Sequence, residues 1–107
     1  MTDLSHPVPP KELEENAENA AAFLKTLAHG GRLMILCHLG NGETSVGDLE
    51  DLLDMRQAAV SQMLARLRDE GFVVSRRDGK TVYYRLADQR TSEVIALLYR
   101  LFCQAPD

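Results

Sequence analysis

Between residues 45 and 86 the spacing of apolar residues changes period once, and that change limits the fold more than any other feature of the chain. In "SVGDLEDLLDMRQAAVSQMLARLRDEG" the apolar positions Val46, Leu49, Leu52 and Leu53, then Val60, Met63, Leu64 and Leu67, recur every three or four residues. That is the stripe of a helix. The pattern breaks near Asp54–Arg56, so it predicts two short helices on a tight connection, a helix-turn-helix. Ser45 is placed to cap the first and Gly71 to close the second. From Phe72 the period falls to two. "FVVSRR", "DGK" and "TVYYRL" read as two strands around an Asp-Gly turn, a hairpin signal.

The flanks complete the architecture. Residues 1–10, with Pro7, Pro9 and Pro10, read as a flexible N-terminal arm. Residues 11–107 read as one domain, close to the common domain size. A helix is expected from Lys11, with Glu12, Glu14 and Glu15 complementing its dipole and Leu13, Ala17, Ala20, Leu24 and Leu27 on its inner stripe. Gly30-Gly31 should break it. "RLMILCHLG" then forms a second helix, with Leu33, Leu36, Cys37 and Gly40 in line. A last helix is expected over about Gln89–Gln104, with Val94, Leu97, Leu98 and Leu101 as its stripe and Ile95 and Phe102 beside it. The expected fold is mainly α with a small β-hairpin: four helices, two strands and a final helix. That order is a winged helix-turn-helix.

Charge gives this fold a polarity. The net charge is −4, but residues 56–85 carry seven Lys/Arg against three Asp/Glu, whereas residues 1–55 carry three against ten. A basic segment in an acidic chain suits a polyanionic partner. In a winged helix the second helix of the pair enters the major groove and the hairpin reaches backbone or minor groove. The expected reading residues are therefore Arg56, Gln57, Ala58, Ser61, Gln62 and, a turn on, Arg66. Gln suits adenine and Arg suits guanine in bidentate fashion. Arg76, Arg77 and Lys80 of the hairpin are expected to hold phosphates. The expected partner is double-stranded DNA. No apolar run approaches a membrane span, no secretory signal is visible, and a cytoplasmic protein is expected. An enzyme, such as a thiol peroxidase, is not: there is no C-x-x-C motif, acid/base constellation or Gly-rich phosphate loop. A protein–protein module is the remaining rival.

The stretch from residue 27 to 86 resembles the ArsR/SmtB family of winged-helix repressors. The resemblance rests on Leu27-Ala28, Arg32-Leu33, Ile35-Leu36, Gly42-Glu43, Val60-Ser61, Leu64, Leu67-Arg68, Gly71, Arg76-Arg77, Gly79 and Tyr84-Arg85-Leu86. The chain departs from the family at Met63, where many relatives have His, and at Gly30-Gly31, where Pro is common. The resemblance implies a homodimer built by the first and last helices, and a pseudo-palindromic operator. It also raises metal sensing, because family members commonly release DNA on binding a metal. The ligands for that are wanting. Residues 45–54 contain no Cys, the last helix has no His and only Glu93, and His6, His29 and His38 are scattered, so no metal and no cofactor is expected.

Cys37 and Cys103 remain. By patterning alone Cys37 reads more readily as core filler, since free cysteine is commonly buried, than as half of a switch. "ILC" in the second helix and "LFCQ" near the end of the last resemble the persulfide- and redox-responsive subgroup of the family. That resemblance implies that Cys37 and Cys103 are redox-sensing. Reactive sulfur species or oxidants would bridge them by a disulfide or polysulfide and weaken DNA binding. It also permits an activator that acts by displacing another DNA-binding protein.

Overall fold

The computed structural model describes residues 8–103. The helices are α1 (Pro10–Leu27), α2 (Gly30–Leu39), α3 (Val46–Leu53), α4 (Gln57–Asp69) and α5 (Gln89–Phe102); the strands are β1 (Thr44–Ser45), β2 (Val73–Asp78) and β3 (Thr81–Leu86). No helix among the described residues is long and apolar enough to cross a membrane. The expected arm over residues 1–10 lies largely outside the described residues, and Pro10 already opens α1 at the position a proline tolerates best.

The break between the first two helices is not where the glycines suggested. α1 ends at Leu27, and His29 caps α2 by accepting the Arg32 N–H on Nδ1 at 3.3 Å. Gly30 and Gly31 are the first turn of α2. Gly31 is needed for approach rather than for a turn: a Cβ there would lie 2.7 Å from Met63 Sδ of α4. The two departures from the family pattern thus meet in space.

Local chemistry sets the remaining joints. Ser45 Oγ accepts the Asp48 N–H at 3.1 Å and caps α3. The α3–α4 turn passes through Asp54 at φ 51°, a left-handed conformation that Asp tolerates better than most residues. α4 closes in a Schellman arrangement: Phe72 N–H donates to Leu67 O at 2.9 Å, Gly71 N–H to Arg68 O at 3.0 Å, and Gly71 has φ 82°. The β2–β3 turn has Gly79 at φ 63°. Positive φ at the first central residue alone fits a II′ turn, whose twist matches the strands.

The sheet has one strand more than expected. β1 pairs antiparallel with β3 (Thr44↔Tyr84, Ser45↔Tyr83), giving the order β1-β3-β2. Two residues leading straight into a helix carry no alternation to detect. The core gathers Leu27, Ile35, Leu36, Leu39, Leu49, Val60, Leu64, Leu67, Phe72, Val73, Tyr84 and Ile95, and Phe23 stacks on Phe72 with centroids 4.7 Å apart. Several expected stripes face elsewhere. On α1 only Thr26 and Leu27 are buried, while Leu13 and Leu24 are more than half exposed. Leu52 of α3 is exposed. On α5 the buried residues are Thr91 and Ile95, whereas Leu97 and Leu101 look outward.

Candidate nucleic-acid interface and thiol cleft

α4 is held to the body by Val60, Leu64 and Leu67, all essentially inaccessible. Anchoring that stripe turns the opposite face out. Arg56, Gln57, Ala58, Ser61 and Gln62 are all exposed at its N-terminal end. An open groove joins this end to the wing, with Gln57 and Ser61 on one side, Lys80, Thr81 and Val82 on the other, and Ser45 and Glu50 at its α3 margin. Glu50 escaped sequence reasoning because it reads as one more acid in an acidic stretch; only the folded groove brings it beside Gln57.

The other expected cations do not all stand free. Arg66 Nε pairs with Glu70 Oε2 at 2.7 Å, and Glu70 Oε1 accepts the hydroxyl of buried Thr26 at 2.8 Å. Hydrogen bonds from Arg66 and then Thr26 hold the Glu70 carboxyl below the usual carboxylate range. Arg32 Nε donates to Thr26 O at 3.0 Å, so the end of α4 is tied to the end of α1. Arg76 donates through Nε and Nη2 to the Glu43 carboxylate at 2.7–3.0 Å and lies 4.5 Å over the Tyr83 ring. The hydrogen bond from Arg76 is the main cause of the lowered Glu43 pKa.

Register explains which wing cation goes where. Arg76 is paired with Tyr83 and Arg77 with Val82. Successive residues alternate faces, so Arg77 shares the face of Val73 and Tyr84 while Arg76 takes the other. Arg77, and Lys80 at the tip, have no ion-pair partner among the described residues.

A second place of interest lies between α2, which carries Cys37, and α5, which Cys103 follows. Gly40 lets these helices close: a Cβ there would be 3.2 Å from Ile95 Cγ2. Beside that contact is a cleft of about 380 Å³ lined by Cys37, Gly40, Asn41, Leu86, Ser92, Ile95, Ala96, Tyr99 and Arg100. Cys37 is half-buried and Cys103 exposed; both thiols are free. Ser92, Ala96, Tyr99 and Cys103 recur at intervals of four, three and four, so Cys103 continues the α5 face that lines the cleft. Its N–H donates to Tyr99 O at 2.8 Å. Burial pushes the Cys37 thiol above its ordinary pKa, and the negative charge of a Cys103 thiolate pushes it further. Among the described residues no three His, Cys, Asp or Glu side chains gather to hold a metal ion.

This arrangement has close counterparts. Residues 29–75 match the family described as "Bacterial regulatory protein, arsR family". The chain is 47% identical over 100 residues to the biofilm growth-associated repressor of Agrobacterium fabrum, covering 94% of this chain and 85% of that one. The chain belongs to the ArsR family. It is a transcriptional regulator rather than an enzyme. It is also 44% identical to the transcriptional activator HlyU of Vibrio cholerae over 89% of this chain and 88% of that one. The solved structure of reduced HlyU superposes with a TM-score of 0.85, covering 88% of this chain and 99% of that chain. The repressor BigR of Xylella fastidiosa superposes at 0.81 with 39% identity, covering 92% and 100%. The winged helix-turn-helix of this ArsR-family chain is thus shared with its relatives, with the wing a three-stranded sheet.

Proposed function

We propose that this ArsR-family regulator is a dithiol-based repressor. It binds a pseudo-palindromic operator as a homodimer in the cytoplasm, and loses affinity when Cys37 and Cys103 are bridged in response to reactive sulfur species or oxidants. The observation that supports the reading is that Cys37 lines the α2–α5 cleft and that Cys103 follows at the end of the α5 face lining it, near enough for a Cys103 thiolate to raise the Cys37 pKa. One solved relative, HlyU, is described in its reduced form, which marks redox state as a variable of that protein.

The chemistry balances with a hydropersulfide, RSSH, as oxidant. A Cys103 thiolate attacks the outer sulfur, RS⁻ leaves and takes a proton, and Cys103 becomes a persulfide. Cys37, as thiolate, attacks the inner sulfur and expels HS⁻. The net change is two thiols plus RSSH giving one disulfide, RSH and hydrogen sulfide. Each further RSSH consumed lengthens the bridge by one sulfur and releases one RSH. Exposure makes Cys103 the first to react, and the raised pKa of Cys37 suits it to the second step. The bridge fixes α5 against α2. Because α5 also carries the unpartnered Leu97–Leu101 stripe, it connects the thiols to the dimer contact and hence to the spacing of the two α4 helices. A coupling of about 1–3 kcal/mol changes affinity roughly 5–150-fold.

DNA is read by Arg56, Gln57, Ala58, Ser61 and Gln62 and held by Arg77 and Lys80, with Arg66 and Arg76 reaching phosphate only by leaving Glu70 and Glu43. Replacing Cys37 or Cys103 with Ser tests the switch. Each variant should bind operator like the reduced protein and ignore glutathione persulfide; a variant that still releases DNA on treatment refutes the two-thiol mechanism. The 44% identity to HlyU, named an activator, favours a second reading in which the same DNA-bound dimer displaces another protein. A promoter reporter in cells separates the two by the sign of its response to deletion.

A further inference from the structure

We propose that the α2–α5 cleft is a docking site for small persulfides that carry a carboxylate, and that Arg100 is the residue that holds it. The inference rests on the dithiol reading above and adds the class of sulfur donor. The cleft, at about 380 Å³, lies in the range of small-molecule sites. Its lining includes Leu86, Cys37 of α2, and Ile95, Ser92 and Arg100 of α5. No carboxylate lines it, and among the described residues none pairs with Arg100. The guanidinium is a planar fork suited to bidentate carboxylate binding.

The site also remains open in the assembly the protein is proposed to form. At 100° per residue, Ser92, Ala96, Tyr99 and Cys103 occupy a face of α5 roughly opposite the exposed Leu97 and Leu101, and Arg100 stands at the edge of that face, between it and the stripe. A second copy seated on the apolar stripe leaves the cleft accessible. A donor anchored on Arg100 sits in the cleft that Cys37 lines, with Cys103 three residues further along the α5 face. The thiolate attacks the donor's outer sulfur, the bond to the carrier's own sulfur breaks, and the carrier departs as a thiolate that takes up the proton. Arg100 acts here as a positioning residue for the donor.

A matched pair of donors tests this. N-acetylcysteine persulfide and N-acetylcysteamine persulfide share a skeleton and differ by one carboxylate. Sulfur transfer to the reduced full-length protein is timed by intact mass spectrometry for wild type, Arg100→Gln and Arg100→Lys. Wild type should prefer the carboxylated donor by about tenfold or more, the scale of a charge-assisted hydrogen bond. Arg100→Gln should lose that preference while reacting normally with the neutral donor, and Arg100→Lys should restore part of it. Equal rates for both donors in wild type overturn the proposal. So does an Arg100→Gln that slows both donors alike, because that reports only a change in the thiols themselves. The dithiol reading is judged separately, by whether bridged protein releases DNA, so either can fail without the other.

Discussion

Gly31 and Met63 show how much single residues carry here. Each departs from the family pattern, and nothing in their spacing indicates that they touch; in the fold the Met63 sulfur occupies the space a Cβ of residue 31 would need. Gly31→Ala should destabilise the protein, moderately because the methionine end is flexible. Met63→Ala should cost about 2 kcal/mol or more through lost packing. The double variant should be less damaged than the sum, with a coupling of about 0.5 kcal/mol or more in denaturant melts. Cys37 makes a different residue-scale prediction. Its thiol is held protonated by burial first and by Cys103 second, so the pH midpoint of its alkylation should lie above that of free cysteine, about 8.5. In Cys103→Ser the midpoint should fall only part of the way back, as read by peptide mass spectrometry across a pH series. The role of Cys37 was unreadable from its stripe because filler and sensor occupy the same helical position.

At the scale of elements, the helix-turn-helix and hairpin were legible because their signals are local: a cap at Ser45, a left-handed glycine at Gly71, and alternation through β2 and β3. β1 was not, being two residues whose identity as a strand depends on β3 alone. Helix faces were legible only where one side is strongly apolar. α4 buried most of the stripe its sequence showed, while on α5 Leu97 and Leu101 face outward, Val94 packs against the core and Ile95 is the buried residue. The wing was read as uniformly basic, yet Glu43, distant in sequence, takes Arg76. Glu43→Ala should therefore release Arg76 and remove one opposing charge. Operator affinity at low salt should rise and the salt dependence of binding steepen by up to about one unit, with little change in thermal stability, as is usual for an exposed pair. Unchanged affinity and slope in fluorescence anisotropy would show that Arg76 never reaches phosphate.

The whole molecule has a body too small to cover its own ends. Leu13 and Leu24 of α1 and Leu97, Leu101 and Phe102 of α5 are exposed, Phe102 by 80%. Exposed large apolar residues concentrated on the two terminal helices suit an association face. A charge placed there, as in Leu101→Glu, should shift the protein toward monomer in sedimentation velocity and weaken operator binding, since two half-sites need two joined copies; a dimer unaffected by this change would put the contact elsewhere. The family resemblance implied a homodimer, and the reading of the helices assigned to the protomer core Leu13, Leu24, Leu97 and Leu101, which are exposed. In the proposed mechanism the state of the two sulfurs links the association face to DNA, and that link is open to direct measurement. Operator affinity is followed through a persulfide titration while the fraction of Cys37–Cys103 linked peptide is counted in the same samples. Affinity is expected to fall in proportion to the linked fraction; a fall in affinity without linked peptide, or full linkage with affinity unchanged, would contradict the account.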